Sequence, residues 1–528
     1  MRSKNTPAVD TGLSSTPSSN AFSRRQVLLA SLGAAGFSLV SGLLPKVGSQ
    51  AHASPALKPG GKLTVGHVGQ GARGFVNPHI MGDDAVAMIN QNLVFEGLTQ
   101  YENDGSMSMC LAESMTAIDG DTSYWEIKIK PGVVFHDGQP LTAKDVIHSM
   151  KAISAEGTVS RGYLGPVENY EEIDPLTVRV KLGGKRNWFP EAMSSAFSGI
   201  IPANFDPKKP VGTGAFRYDR SVEMESVTLT RHENYHGPKA VVDEVTLRIF
   251  ADESALLNAI TAGQVDIVNG LSPAMADEYE ADERFQLYNS PTGKCYPIHM
   301  RSDIEPFKEV KLRQAMRMVL DREAVVNSGY NGYATIANDI YAPQDTTASD
   351  ALVRTRDVEG AKKLIEEAGL TGKTIELTMV DDMATALILS EDAKLIGLNV
   401  EVRKLEPAAF FNEEFIERPF HGGDYYPPAP FFMTSSLLDG PDPGIPTLRW
   451  VDDEYLALWK KGNESADPEE VAKIIRQLKQ ILFDRGPLII AVFVNELGLY
   501  RTGLGGIPEG DYNGTGIYRS LRFVGELA

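Results

Sequence analysis

The 528-residue chain carries 51 Lys/Arg against 70 Asp/Glu, a formal net charge of −19, and a field of that sign repels nucleic acid and anionic lipid. Hydrophobic content of 42% and aromatic content of 8% are those of a folded globular chain, and two cysteines 185 positions apart make no disulfide framework. A single core rarely grows beyond ~300 residues, so two or more lobes are expected.

Residues 1–22 are rich in Ser, Thr and Pro, with no core pattern. Arg24-Arg25 then precede an uncharged, mostly apolar run over 27–44, followed by Lys46 and the small-x-small stretch Ala51-His52-Ala53. This is the layout of a cleaved secretory signal, and the paired arginines resemble the twin-arginine class. Residues 1–53 are therefore expected to be a leader handled by the twin-arginine export machinery. Removing their five Lys/Arg and one Asp leaves residues 54–528 near −23. Neither Cys110 nor Cys295 lies near the cut, so no lipid anchor is expected there. The expected product is soluble, exported and periplasmic.

Leu63, Val65 and Val68 sit in an alternating strand, and 83–93 reads as a helix leading to the apolar segment 94–98. Trp125, Ile127 and Ile129 alternate on another strand; Pro131-Gly132 and Asp137-Gly138 are turns. Thr142 and Asp145 approximate a capping box that starts a helix. Val178, Val180 and Leu182 form a strand, as do Val245, Leu247 and Ile249. A helix over 254–262 then closes at Gly263, and 264–268 is extended, the order of an α/β lobe. Helices are expected over 310–320, after caps at Asp321 and Asp357, over 385–396 and over 469–483, with strands at 375–379 and 400–402. The apolar run 487–494 reads as one strand buried on both faces. The prolines at 427–430 and 441–443 read as rigid loops.

No phosphate-loop, GxSxG, HExxH or CxxC spacing is present, so no catalytic residue, cofactor or metal site is assigned. His67, His79, His299 and His421 are the histidines weighed as metal ligands, with ordinary hydrogen bonding as the alternative.

Several ordered segments resemble the bacterial extracellular solute-binding proteins of family 5, receptors of ABC importers. These are GVVFHDGQPLTAKDV (132–146), VGTGAF (211–216), RHENYHG (231–237), PFKEVKLRQAMRMVLDR (306–322) and AKKLIEEAG (361–369). The resemblance implies an α/β periplasmic binding protein-like class II fold: two α/β lobes with a hinge and an extra domain on the first lobe. It implies a first lobe from 54–97, 212–294 and 499–528, an extra domain over 98–211 and a second lobe over 295–498. The motifs look structural: Arg313 and Asp321 at helix ends, Gly212 and Gly214 in a tight turn. The implied partners are a small-molecule or peptide ligand and an inner-membrane ABC permease, with no nucleic acid and a monomeric protein.

The segment HGGDYYPPAPFF (421–432) resembles a family loop that faces the crevice, where an acidic residue of peptide-binding relatives grips the ligand's α-ammonium. Asp424-Tyr425 keeps part of that pattern; the usual tryptophan is gone, and a Pro-rich run replaces the second acid. Asp424 is the candidate for a cationic group, with a turn-capping surface carboxylate as the alternative. Tyr425, Tyr426, Phe431 and Phe432 are candidate walls or loop packing. Asn92, Phe95 and Glu96 resemble the entry segment near the ligand, and Phe95 reads equally as core. His299 and Met300 lie beside a crossing, and Arg418 meets either a ligand carboxylate or Glu414 or Glu417. A peptide is the first expected ligand, then an opine, sugar derivative or other organic solute, then nickel; a non-transport sensor or chaperone is the other class.

Overall fold

A computed structural model describes residues 56–69, 76–79, 93–155, 161–343, 352–412, 414–424, 426–510 and 518–528. The leader, most of the 83–93 helix, Asn92 and Tyr425 fall outside these. Ser54–Ala528 is one compact unit, and no described helix is long and apolar enough to cross a membrane.

The fold is mixed α/β with two lobes. At the centre of the first is strand Lys62–Val68, which turns Leu63 and Val65 into the core. It pairs in parallel with Glu244–Phe250 and Ile267–Asn269. Parallel neighbours need a crossover, and helix Glu253–Thr261 supplies it, capped by the Asp252 side chain and closed at Gly263 with φ +71°. Strands Ser226–Arg231 and Phe216–Val222 extend one side; Val492–Arg501 and Phe285–Lys294 extend the other.

The second lobe has a five-stranded sheet ordered Asn399–Lys404, Thr374–Met379, Phe420–Gly422, Ile298–Met300, Leu488–Ile489. Helices Val310–Val319, Val358–Glu367 and Met383–Leu395 cover one face and bury Leu312, Met316, Ile365 and Leu389 against Ile298, Met300 and Leu377. A third, antiparallel sheet, Ala112–Ile118, Asp121–Ile129, Thr177–Leu182 and Val167–Asp174, forms its own core with helix Ala143–Ile153. The backbone N–H of Thr142 donates to Asp145 Oδ2 at 2.9 Å, the return bond of the capping box.

Phe285–Lys294 and Val492–Arg501 run antiparallel side by side in the first sheet, next in the chain to Ile298–Met300 and Leu488–Ile489 of the second. The expected single strand over 487–494 is in fact broken. Leu488–Ile489 belongs to the second sheet, and the first sheet takes over from Val492. At the break Ile490 N–H donates to Asp339 Oδ1 and Ala491 C=O accepts from Ala337 N–H. Burial is continuous through the change of partner, so apolarity alone does not mark it. Gly212 and Gly214 lie at or beside the bends of the chain at 213–215. They have no left-handed φ; a Cβ there would lie 2.0 Å from the Val94 carbonyl oxygen and 2.3 Å from that of Leu93. Their glycine serves backbone approach.

Candidate functional site

Strand alternation builds the site. Ile298 and Met300 point into the second-lobe core, so His299 points the other way; Phe420 and His421 divide likewise. Register pairs His299 with His421, and their rings stack at 4.8 Å and 28°. The Tyr426 ring lies 5.8 Å from His299, while Phe410 and Phe415 press on His421. His299 Nδ1 is 2.8 Å from Thr447 Oγ1. Its Nε2 is 3.5 Å from Asp424 Oδ1, too long for a hydrogen bond.

Gly423 aims Asp424 inward. It has φ +85°, and a Cβ there would lie 2.3 Å from the Asp381 carbonyl oxygen, so only glycine fits. Asp424 is 6% exposed. Five buried polar atoms have no hydrogen-bond partner among the described residues: Asp424 Oδ1, His299 Nε2, both His421 ring nitrogens and Tyr426 Oη. Burial raises the Asp424 carboxyl to about 6, against the pull of His421 and the nearby Tyr426 hydroxyl. Burial also lowers His299 and His421 to about 3 each. At neutral pH the imidazoles are uncharged and Asp424 is a buried anion with no cation beside it. Such a charge is costly unless a partner arrives. The chemistry on offer is capture of a cation or a multiple hydrogen-bond donor.

The other candidates separate. Glu96 is fully buried inside the first lobe, accepting from Thr213 (2.9 Å), Tyr235 (2.7 Å) and His236 (2.9 Å). Its oxygens are occupied by the protein itself, which places it in the lobe's framework. Phe95 is core, edge-on to Phe205 at 5.9 Å. Met300 is second-lobe core. Arg418 donates to the carbonyls of Phe410 and Ala409 and to Asn412 Oδ1, while Glu417 pairs with Arg301 and Arg449. Phe431 stacks on Tyr341 at 5.2 Å, and Phe432 meets Trp459 edge-on at 5.7 Å; both also line a cavity with Trp125 and Trp188. Of the four histidines weighed as ligands, only His299 and His421 meet; His79 bonds the Gly199 carbonyl, and His67 sits by Tyr518. No group of three or more His, Cys, Asp or Glu among the described residues is arranged to hold a metal. Cys110 and Cys295 are free, buried thiols. Neither the stacking of His421 on His299 nor the Thr447 bond to His299 is among the sequence expectations. The polar residue at the centre of a short apolar strand was the available signal for the first; nothing local marked the second.

The profile of the bacterial extracellular solute-binding proteins, family 5 Middle, matches residues 107–443. The chain belongs to this family. It is accordingly the solute-binding component of an ABC importer. The Bacillus subtilis oligopeptide-binding protein AppA is 26% identical over 402 residues, 67% of this chain and 71% of its own. The Escherichia coli nickel-binding periplasmic protein is 22% identical over 475 residues, 82% of this chain and 90% of its own. Among solved structures, the PBP AgaA from A. tumefacien in complex with agropinic acid superposes with a TM-score of 0.76 at 23% identity, covering 88% of this chain and 99% of that one. At that identity the likeness establishes the two-lobed architecture.

Proposed function

We propose that the protein is exported to the periplasm, captures a peptide or peptide-like solute through a cationic group, and passes it chemically unaltered to an inner-membrane permease. Asp424 is the counter-charge, backed by His299, His421 and Tyr426. One observation carries the reading: a buried carboxylate in a loop beside the lobe crossing, with an oxygen that the described protein leaves unpaired. Ligand that prefers the closed state shifts the population toward it, and no covalent step is needed. A second reading, a cation-bearing non-peptide solute such as an opine or sugar derivative, is favoured by the Pro427-Pro428-Ala429-Pro430 run where relatives carry a further acid.

The test is mass spectrometry of ligand released from the purified protein, followed by calorimetry with that compound. The expected ligand carries an ammonium or guanidinium group. A released ligand with no cationic group, bound equally well by Asp424→Asn, removes Asp424 from the site.

A further inference from the structure

Helix Asp453–Glu464 of the second lobe is finished by another part of the molecule. A helix leaves its last carbonyls without donors of its own. Here Asn187, a few residues past strand Thr177–Leu182 of the third sheet, donates from Nδ2 to the Gly462 carbonyl (2.8 Å) and from its backbone to the Asn463 carbonyl (3.2 Å). Asn463 answers from Nδ2 to the Lys185 carbonyl (2.6 Å). Beside them two neighbours part company: Phe189 turns into the third sheet's own core, while Trp188 joins the cluster of Phe431, Phe432 and Trp459.

The body built on the third sheet is tied to the first lobe in another way. Its chain comes from Phe95 and returns to Phe216, both in the first-lobe core. His136 fastens that junction: its backbone N–H donates to the Gly212 carbonyl (2.9 Å), Nδ1 accepts from the Gly212 N–H (3.2 Å), and Nε2 lies 3.0 Å from the Gly214 carbonyl. Both ring nitrogens are paired. Toward the second lobe the pairing is incomplete. Asn187 Oδ1 and Asn463 Oδ1 are buried with no hydrogen-bond partner among the described residues. A cavity of about 520 Å³ runs along the same seam, lined by Asn187, Trp188, Phe431 and Phe432 among others. Parting these faces would hand both amide oxygens and the two helix-end carbonyls to water, which can pair them all. Opening the His136 junction only loses bonds; opening the asparagine seam exchanges them.

We propose that Asn187 and Asn463 form a latch that engages as the clamp closes. The third-sheet body moves with the first lobe, and its grip on helix Asp453–Glu464 sets how much of the closed state is populated. Neither asparagine belongs to the Asp424 site, so the latch scales the affinity of every solute by one factor, the change in the closed fraction. That effect on solute rests on the capture reading; the opening of the seam does not.

The test uses the purified protein freed of solute by dialysis. Asn463→Asp keeps the side chain's shape and turns its donor into a charged oxygen facing the Lys185 carbonyl. Hydrogen exchange at the Asn187 amide should become roughly tenfold or more faster, with the His136 amide unchanged. The double variant Asn187→Cys with Asn463→Cys, joined by a short bismaleimide, should scatter X-rays as a more compact particle than Asn463→Asp. Equal acceleration at His136, an Asn187 amide that does not respond, failure of two reactive thiols to join, or matching scattering from the joined and Asn463→Asp proteins each overturns the latch. A natural solute with no cationic group would sink the capture reading and leave these results untouched.

Discussion

Glu96 and Asp424 are both buried carboxylates, one in each lobe, and their surroundings oppose each other. Glu96 is desolvated, yet its pKa is lowered, because bonds and charge from His236 with bonds from Tyr235 and Thr213 outweigh burial. Asp424 is desolvated with its pKa raised to about 6, because burial outweighs the pull of His421, of its own backbone N–H and of the Tyr426 hydroxyl, and its Oδ1 has no hydrogen-bond partner among the described residues. Burial is common to both, so burial does not separate a carboxylate tied into the framework from one with an unpaired oxygen. Completeness of hydrogen bonding does.

The largest expected effect is on stability. Glu96→Gln removes the charge that four donors, Thr213, Tyr235, His236 and the Cys110 thiol, converge on and should destabilise the protein by about 3 kcal/mol, in the range for breaking a buried charged partnership. Solute affinity of the folded protein should be unchanged. Equilibrium denaturation and calorimetry on one preparation read both. Retained stability would mean that the Glu96 network is not framework, and the contrast between the carboxylates would collapse.

Asp424→Asn should do the reverse. Cationic solute should bind roughly tenfold or more weakly, the loss of about 1.4 kcal/mol or more from one charge-assisted bond. The melting temperature of the ligand-free protein at neutral pH should hold or rise, since an uncompensated buried charge is gone.

Acidity separates the same two groups by sign. The Asp424 pKa is raised in the fold, so its contribution to ligand-free stability is present below the ordinary carboxylate value and lost as pH rises through about 6. Glu96, lowered in the fold, contributes above the ordinary value and loses that contribution as pH falls. Cation capture needs ionised Asp424. Affinity should therefore fall about tenfold between pH 7 and pH 5 in the native protein, and much less in Asp424→Asn. A pH profile shared by both would show that another group titrates.

The sequence made the scaffold legible where a local signal existed. The Thr142–Asp145 box, the Asp252 and Asp357 caps, and the alternation of Val178, Val180 and Leu182 all name elements that are present. It also singled out Asp424, which is buried with an unpaired Oδ1 among the described residues. It did not separate Asp424 from Glu96, because the difference is supplied by Tyr235 and His236, some 140 positions away. Nor did it show the strand break at Ile490, where the partner is Asp339. His299 and His421 are 122 positions apart, and only register across the second sheet brings them together.

The smallest expected effect asks whether the histidines grip the solute or only shape the wall behind Asp424. Thr447 is fully buried, and its hydroxyl fixes His299 at Nδ1. Thr447→Val keeps the volume and leaves that nitrogen unpaired, so stability should fall by about 1 kcal/mol. If His299 only forms the wall, solute affinity should change less than about threefold, because the Asp424 charge remains. A loss as large as that of Asp424→Asn would put the imidazole in direct contact with the solute. Binding would then depend on which ring nitrogen holds the proton, and the acceptor set would be a carboxylate with an oriented histidine.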